Sequence, residues 1–220
     1  MILIHTIFVG RPRKITDEAG TWESSIYRQA VFGPVQLDSH GIVGDQVADR
    51  ENHGRPSQAV CIHPIEHYKF WNEQFRLVDP ARQLGPGSVG ENWTIEGGNE
   101  STICVGDTYS IGSSEVQVSG PRGPCWKQER KLKLPGFLKR TIESLRTGFY
   151  VQVLKCGTVQ AGDNWHLKSR PNPWLTVHAT NVCYYQNPVR ETIERILATP
   201  EVAEGWKRMF VKKLGMESTS

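Results

Sequence analysis

Short runs of apolar, β-branched and aromatic residues, separated by Gly, Pro, Asn and Asp, fill the first three quarters of the chain. Runs of this length and composition are typical of β-strands. Strands are predicted over residues 2–9, 25–31, 58–62, 93–96, 102–105, 107–111, 115–119, 149–155 and 165–168. Many short strands at this spacing favour a closed or strongly curved antiparallel sheet over alternating βαβ units. The predicted fold class is therefore mainly β, a β-barrel with inserted helices.

Two segments inside this region have helical spacing instead. The first lies near 64–77 and the second near 136–147. In the first, apolar residues recur every three to four positions, which predicts a face packed against the barrel rather than a cofactor site. These apolar positions are Ile65, Tyr68, Trp71 and Phe75.

The pattern changes after residues 170–173, a proline-containing segment typical of a linker. We therefore predict a β-barrel domain over 1–170 and a small helical domain over 171–220. In this tail, Asn187-Pro188 and Thr199-Pro200 each place proline directly after a good N-cap residue. A helix is predicted to begin at each of them.

The last of these helices carries an apolar stripe at i, i+4 spacing, made of Val202, Trp206, Phe210 and Leu214. Such a stripe is expected to cover an edge of the barrel or to pair with a second copy of the chain as a homodimer. Residues 176–185 are ambiguous from their composition alone. Their β-branched and aromatic residues favour a strand, while Thr176 is a suitable cap for a helix.

Composition indicates a soluble globular protein. The chain has 220 residues, of which 38% are hydrophobic and 22% charged, and this balance argues against extended disorder. The net charge of +3 is mild. It allows a local patch that attracts an anionic small molecule, but it falls short of the basic stripe expected of a protein that binds a nucleic-acid polymer.

Cysteine usage and the N-terminus predict a reducing, cytoplasmic location. The five cysteines, at 61, 104, 125, 156 and 183, include no C-x-x-C pair, which disfavours an all-cysteine zinc site. Their odd number disfavours a complete disulfide set. The N-terminal apolar run is too short and too β-branched for a signal or membrane-spanning helix, so no membrane partner is expected.

Cys125 is the most distinctive candidate for chemistry, within the segment 119–127, Ser-Gly-Pro-Arg-Gly-Pro-Cys-Trp-Lys. The prolines fix the backbone, Gly120 and Gly123 allow close approach of a ligand, and Arg122 and Lys127 favour the thiolate. A buried cysteine in a tight turn is the structural alternative. As a functional group, Cys125 suits a nucleophile, a persulfide carrier or a ligand to a soft metal completed by a cofactor. The interpretation of Cys125 as a metal ligand accounts for more of its neighbouring residues than the other two, because Arg122 and Lys127 would bind the cofactor's anionic groups.

A polar loop over residues 41–60 offers further candidates, which are Asp45, Asp49, His53 and Arg55. Loops on a rigid scaffold often build sites, although a solvated acidic loop has the same composition. The glycine-rich stretch 85–92 lacks the lysine and spacing of a phosphate-binding P-loop.

The segment 63–67, His-Pro-Ile-Glu-His, matches the H-x-x-E-H pattern of inverted zinc proteases. That chemistry needs both histidines on one helical face. Pro64 is tolerated best as the first helical residue, which would leave His63 outside the helix and spoil the arrangement. Zinc hydrolysis is therefore disfavoured.

Several short motifs occur in register along the chain. They are Gly44-Asp45, Asp49, His53-Gly54, Ala59-Val60, Gly90-Glu91-Asn92, Gly106-Asp107, Pro121-Arg122, Pro124-Cys125, Lys127, residues 148–154 and Gly162-Asp163. Together they resemble the MOSC-domain proteins of the YiiM type, from near residue 2 to about 170. The tail resembles the three-helix C-terminal domain of that subfamily.

This resemblance implies a MOSC β-barrel that binds a molybdenum cofactor (molybdopterin), with Cys125 as the metal ligand and residues 176–185 as the first helix of the tail. It also implies a reductase of N-hydroxylated compounds, such as hydroxylaminopurine base analogues, that receives electrons from a flavoprotein. The alternative is a sulfur carrier or cofactor-binding module that uses Cys125 without reductive turnover.

The resemblance also suggests roles for individual residues. Cys125, His53 and Asp49 are the predicted catalytic residues, with His53 as a proton relay because the pKa of a histidine is easily tuned near neutrality. The predicted cofactor-binding residues are Arg122, Lys127, Arg55, Asp45 and Asn92.

The loop around His53 departs from the family pattern. His53-Gly54-Arg55 and Gln58 stand where the family commonly has His-Gly-Gly followed by a lysine. Arg55 thus replaces a glycine that would let the backbone come close to a ligand. Either Arg55 binds an anionic group of the ligand directly, or the substrate pocket differs from the one that is usual in the family.

Overall fold

The computed structural model describes residues 1–49, 51 and 53–215. Its strands are β1 (Ile2–Val9), β2 (Arg13–Asp17), β3 (Gly20–Ser24), β4 (Gln29–Val31), β5 (Val35–Asp38), β6 (Gly41–Ile42), β7 (Val60–Pro64), β8 (Trp93–Glu96), β9 (Thr108–Ile111), β10 (Ser114–Pro121), β11 (Phe149–Lys155), β12 (Gly157–Val159) and β13 (Asn164–Ser169). Its α-helices are α1 (Glu66–Gln74), α2 (Trp126–Leu132), α3 (Phe137–Ser144), α4 (Val177–Asn181), α5 (Arg190–Leu197) and α6 (Glu204–Lys213). Short 3-10 helices cover Pro56–Gln58 and Pro80–Arg82, and a π-helical turn over Val182–Gln186 continues α4.

Seven strands close into a barrel in the order β13-β9-β10-β11-β7-β8-β1, and β1 pairs back onto β13. Strand β4 extends the sheet by pairing with the end of β1. The pairs are antiparallel except for β7 with β8, which run parallel. The predicted mainly β fold, a closed barrel with inserted helices, is confirmed.

The barrel interior is filled by alternate residues of its strands, because successive side chains of a strand point to opposite faces. Trp165 lies among the buried aromatic rings. Its ring centroid is 5.1 Å from that of Tyr109, 5.9 Å from Trp93 and 6.5 Å from Phe149. These four rings come from β13, β9, β8 and β11, so they join opposite walls of the barrel.

Most of the predicted strands are present, several with shifted ends. Residues 2–9, 93–96 and 149–155 match β1, β8 and β11 in full. The segment 25–31 retains only β4, and 102–105 forms a single bridge, from Cys104 to Thr176. The strand fails at Cys104 because its amide donates to the Asp107 carboxylate, at 2.9 Å, instead of to a neighbouring strand.

Two small sheets outside the barrel were not predicted. One is the hairpin β2–β3, and the other has the order β12-β5-β6. Their strands are short and rich in polar residues, so they lack the long hydrophobic alternation that identifies a barrel strand.

The two predicted inserted helices are confirmed as α1 and α3. Their apolar faces share one cluster that is separate from the barrel core, so the first helix does not pack mainly against the barrel as predicted. The centroids of Trp71 in α1 and Phe137 in α3 are 4.9 Å apart. Helix α2, which begins directly after Cys125, was not predicted.

The ambiguous residues 176–185 are helical, as the resemblance implied. Thr176 caps α4, because its hydroxyl accepts a hydrogen bond from the Ala179 amide at 2.9 Å. Val177, the first residue of the helix, is fully buried in the barrel core. The tail therefore contributes to the packing of the barrel.

The other tail helices begin later than predicted, α5 at Arg190 and α6 at Glu204. Thr199 does not cap α6, because its hydroxyl donates to the Arg195 carbonyl at 2.9 Å and so completes the end of α5. The apolar stripe of α6 is covered within the same chain, since Val202, Trp206 and Phe210 are buried. The boundary between domains at 170 and the homodimer stay predictions.

Within the described part of the chain, no helix combines the length and the apolar character needed to cross a membrane.

Candidate functional site

A pocket of about 590 Å³ lies on the outside of the barrel wall. Its walls include residues 24–26 and 28, residues 45–49, 53 and 54, one residue each of β7 and β11, and residues 122, 123, 125 and 127. Predicted site residues that line it are Asp45, Asp49, His53, Asn92, Arg122, Cys125 and Lys127. Predicted residues as far apart in sequence as Asp45 and Lys127 are thus brought to one place.

The floor of the pocket follows from strand alternation. In β7, Val60 and Ile62 face the barrel core, so Cys61 between them faces outward. In β11, Phe149 likewise faces inward and Tyr150 outward. Cys61 and Tyr150 are paired in the sheet, and both line the pocket.

Cys125 lies between the end of β10 and the start of α2, in extended backbone geometry (φ −132°, ψ 138°). It caps the helix reciprocally with Gln128. The Cys125 sulfur accepts a hydrogen bond from the Gln128 amide, and the Gln128 side chain accepts one from the Cys125 amide at 3.1 Å. This capping box fixes a half-buried thiol at the pocket wall.

Arg122 places a buried positive charge in the same pocket, with only 7% of the residue exposed. Its Nη2 donates to the Val89 carbonyl at 2.8 Å, whereas its Nη1 is buried with no hydrogen-bond partner among the described residues. Burial alone would lower the pKa of Arg122, but attraction to the anionic forms of Cys61, Tyr150 and Glu91 outweighs it and the net pKa is raised. A buried cation with an unused donor is suited to bind an anion.

Asp45 and Asn92 line the pocket, but the structure uses their polar atoms to hold its wall together. Asp45 binds Arg28 through two hydrogen bonds of 3.0 Å each. Asn92 donates to the same carboxylate at 2.9 Å and accepts from the Cys61 amide at 3.1 Å. Their predicted role in binding a cofactor stays a prediction, with fewer polar atoms available than the sequence suggested.

His53 lies beside Asp49, since its backbone amide donates to the Asp49 carbonyl at 2.9 Å. The pKa of His53 is lowered from 6.5, chiefly because burial disfavours the cation and also because Arg122 repels it, while Asp49 acts in the opposite direction. The imidazole is therefore neutral at neutral pH. Lys127 also lines the pocket and donates to the Glu23 carbonyl at 3.1 Å.

Arg55 is the predicted site residue that does not line the pocket. It is exposed, and its Nη2 donates to the Glu51 carbonyl at 3.0 Å. Its other terminal nitrogen lies near Gly205 of α6, where an added Cβ would be 3.4 Å away. Its proposed direct contact with an anion therefore stays a prediction that this geometry does not favour.

Sequence reasoning missed Arg28, Cys61 and Tyr150 as members of the pocket. The alternation of apolar residues in β7 and β11 was a usable signal for Cys61 and Tyr150, because it placed both on the outer face. Burial raises the pKa of Cys61 above 9.0 and raises that of Tyr150 as well, so both groups are protonated at neutral pH. Arg28 had no local signal, since its partners are distant in sequence.

The two glycines near Cys125 serve different purposes. Gly120 has φ +149°, and a Cβ added there would lie 2.7 Å from Cδ1 of Trp206 in α6. The absence of a side chain at Gly120 makes room for Trp206 of the tail. The prediction that Gly120 allows a ligand to approach the backbone closely is therefore wrong. Gly123 lines the pocket and has no atom within 4 Å of an added Cβ, so its neighbourhood is open.

The H-x-x-E-H segment does not form a zinc-protease motif. His63 and Pro64 belong to β7, whereas His67 belongs to α1. His67 is hydrogen-bonded to Glu100 at 2.7 Å and to Arg146 at 3.1 Å. Because the two histidines lie on different elements, they do not share one helical face.

The closed barrel, the thiol between β10 and α2, and the basic pocket beside it define a MOSC domain. The family model for the MOSC domain matches residues 49–166, and the chain belongs to this family. It is of the YiiM type. The crystal structure of YiiM from Geobacillus stearothermophilus superposes with a TM-score of 0.80 and 30% identity, covering 97% of this chain and 100% of that one.

Two relatives extend the comparison. YflK of Bacillus subtilis (strain 168) is 35% identical over 206 residues, which are 93% of this chain and 91% of YflK. A protein of Gibberella moniliformis (strain M3125 / FGSC 7600) named reductase is 34% identical over 172 residues, which are 76% of this chain but 30% of that protein. This chain thus corresponds to under a third of the fungal protein.

Proposed function

We propose that this chain is a molybdenum cofactor-dependent reductase of N-hydroxylated compounds, with hydroxylaminopurine base analogues as one substrate group. The reaction takes two electrons and two protons and converts RNHOH into RNH2 and water. The observation that carries the proposal is one pocket that contains the Cys125 thiol and the buried Arg122 with its unused donor. The name of the fungal relative supports a reductive direction.

The pocket residues fit such a cofactor. A cysteine thiolate is a soft ligand of the kind that a molybdenum centre with a sulfur-rich cofactor would accept. The Nη1 of Arg122 is a buried donor in need of an acceptor, and the cofactor's phosphate would provide one. The volume of about 590 Å³ lies within the roughly 300–1,000 Å³ common for small-molecule sites.

Each pocket residue would have a distinct task. Cys125 would hold the metal, in a position fixed by its capping box with Gln128. Arg122 and Lys127 would neutralise anionic groups of the cofactor. The cofactor, when bound, supplies two-electron redox chemistry, and a flavoprotein would deliver the electrons.

His53 would handle protons. Its lowered pKa keeps the imidazole neutral near pH 7, so it is able to take a proton from water and pass it towards the oxygen that leaves as water. The adjacent Asp49 would assist by stabilising the imidazolium when it forms.

The test compares wild-type protein, isolated from its native host, with Cys125→Ser and Cys61→Ser. Both cysteines line the pocket, but the raised pKa of Cys61 keeps it a thiol, which is a poor metal ligand. We expect stoichiometric molybdenum in the wild type and in Cys61→Ser, and none in Cys125→Ser. Activity towards hydroxylaminopurine, with a chemical reductant, should follow the metal content and should fall in His53→Ala.

Other results would contradict the proposal. A labile persulfide on Cys125 without metal would support a sulfur carrier, and bound cofactor without turnover would support a binding module. A His53→Ala variant with the normal rate would exclude His53 as the relay.

A further inference from the structure

Tyr150 lines the pocket but has no task in the binding of the cofactor or in the transfer of protons. It belongs to β11, where its neighbours Phe149 and Val151 are fully buried in the barrel core. Because successive side chains of a strand alternate between the two faces, the Tyr150 ring points outward, on the face that carries the pocket. Its phenol is therefore placed in the same cavity as the Cys125 thiol.

The sheet fixes the position of Tyr150. It pairs with Cys61 in β7 and with Gly120 in β10, so it lies in the middle of three neighbouring strands. Its backbone carbonyl also accepts a hydrogen bond from the Ser119 hydroxyl at 3.1 Å. A side chain on such a rigid element needs little reorganisation when a ligand binds to it.

The Tyr150 hydroxyl is an unused hydrogen-bond donor. It makes no hydrogen bond to any residue that the structure describes. The phenol of Tyr109 inside the barrel, in contrast, donates to the Asp107 carboxylate at 3.0 Å. Because the hydroxyl of a buried tyrosine usually has a partner, we expect a ligand in the pocket to supply the acceptor for Tyr150.

The reactive and charged groups of the pocket lie close to this hydroxyl. The pKa of Tyr150 is raised, chiefly because burial disfavours the anion and also because Cys61 repels it. Arg122 and Arg28 act on the pKa in the opposite direction, and Cys125 raises it. Such effects weaken with distance, so these groups are near the phenol oxygen. The hydroxyl keeps its proton at neutral pH and is a permanent donor.

We propose that the Tyr150 hydroxyl donates a hydrogen bond to the oxygen of the substrate's N-hydroxyl group, which makes Tyr150 a catalytic residue. This inference rests on the proposed function. As two electrons enter the N–O bond and the bond breaks, the oxygen gains negative charge. The hydrogen bond is then stronger in the transition state than in the bound substrate. The proton that completes the water molecule still comes through His53.

The choice of the substrate oxygen follows from the charges of the two donors. The guanidinium of Arg122 is a cation and suits the anionic groups of the cofactor. The neutral phenol of Tyr150 suits an oxygen that is uncharged at first and becomes negative only during the reaction, because it stabilises the transition state more than the substrate.

The first experiment compares binding of 6-hydroxylaminopurine and of adenine, its amine product, to the holoprotein by calorimetry. It is done without a reductant, so it requires no turnover. Adenine lacks the oxygen that Tyr150 would contact. Tyr150→Phe should therefore weaken binding of 6-hydroxylaminopurine roughly two- to tenfold and leave binding of adenine unchanged. An equal loss for both ligands, or no loss for either, would overturn the inference.

The second experiment measures kcat and KM of the holoenzyme for 6-hydroxylaminopurine with a chemical reductant. Tyr150→Phe should lower kcat about a hundredfold or more and raise KM much less, because the donor acts mainly in the transition state. The variant should retain its molybdenum. It should also unfold at the wild-type urea concentration, since the hydroxyl has no protein partner within the described part of the chain.

Tyr27→Phe is the matched control, because Tyr27 is also partly buried but does not line the pocket. It should keep the wild-type kcat. An unchanged kcat in Tyr150→Phe would overturn the inference. Loss of molybdenum from Tyr150→Phe would overturn it as well, since the hydroxyl would then serve the cofactor and not the substrate.

The two experiments separate failure of the inference from failure of the proposed function. If the wild-type protein binds 6-hydroxylaminopurine through Tyr150 but does not reduce it, the reductase proposal fails and the hydrogen bond stands. If the wild type reduces it and Tyr150→Phe has the same kcat, the hydrogen bond fails and the reductase stands.

Discussion

At the scale of single residues, the pocket depends on how each charged group is partnered. Arg28 donates from all three guanidinium nitrogens, to Asp45 and to the Gly90 carbonyl. Arg122, in contrast, retains a buried Nη1 without a partner among the described residues. Arg28 is thereby a structural part of the wall, and Arg122 is the cation available to a ligand.

The buried imidazole of His63 makes stability depend on pH. Both its ring nitrogens lack hydrogen-bond partners among the described residues, and burial holds its pKa well below 6.5. Below pH 6.5 the unfolded chain therefore binds a proton that the folded protein does not. The free energy of unfolding should fall as the pH drops, by up to about 1.4 kcal/mol per pH unit for this group.

Urea unfolding between pH 5 and 7.5 measures this dependence. His63→Phe should lose a large part of the slope, and the remainder would come from groups such as His53, whose pKa is also lowered. His166→Phe is the control, because His166 is exposed on β13. An unchanged slope in His63→Phe would mean that the imidazole is protonated in the folded protein.

The residues of the site were predictable to different degrees. Cys125, Arg122 and Lys127 could be found from their immediate neighbours, which combine prolines, glycines and charges in one short segment. The partners of Asp45 and Asn92 could not, because Arg28 and Cys61 are distant in sequence and reach them only through the folded sheet.

At the scale of elements, the contact between α6 and the end of β10 positions the loop that holds Cys125. The Trp206 indole donates to the Pro121 carbonyl at 2.8 Å and lies against Gly120. We expect Gly120→Ala to destabilise the protein by roughly 1–3 kcal/mol, since the new Cβ would clash with Trp206 and would adopt an unfavourable backbone geometry. Chemical denaturation measures the change.

Two comparisons make this measurement specific. Gly123→Ala should leave stability almost unchanged, because an added Cβ at Gly123 meets no atom within 4 Å. In a Trp206→Ala background, Gly120→Ala should cost less, since the steric part of the penalty is gone. An additive double variant would show that the two residues are not coupled.

Helix α2 and the hairpin β2–β3 show why some elements escaped prediction. Helix α2 has only seven residues, and its cap is Cys125, which is not among the residues that usually begin a helix. The hairpin is polar along most of its length, and its position depends on the Arg130–Asp17 ion pair. Long barrel strands such as β1 and β11 were predictable, because burial of one face imposes a regular pattern on the sequence.

At the scale of the whole molecule, the tail and the barrel share their hydrophobic cores. Val177 of α4 is buried in the barrel core, and its amide donates to the Ile103 carbonyl at 2.9 Å. In the other direction, Val105 from the barrel segment is buried among the tail residues Leu175 and Phe210. Asn172 further ties the start of the tail to the barrel, because its side-chain amide donates to the Val105 carbonyl at 3.2 Å.

A chain that ends at residue 170 should therefore not behave as an independent domain. It would lose Val177 from the barrel core and expose Val105, so we expect it to unfold at a lower denaturant concentration and to self-associate in sedimentation velocity. The full-length chain should unfold in a single transition seen at the same midpoint by near- and far-UV circular dichroism. A monomeric truncated chain with the midpoint of the full-length protein would contradict this coupling, because it would show that the barrel closes and packs without its helical tail.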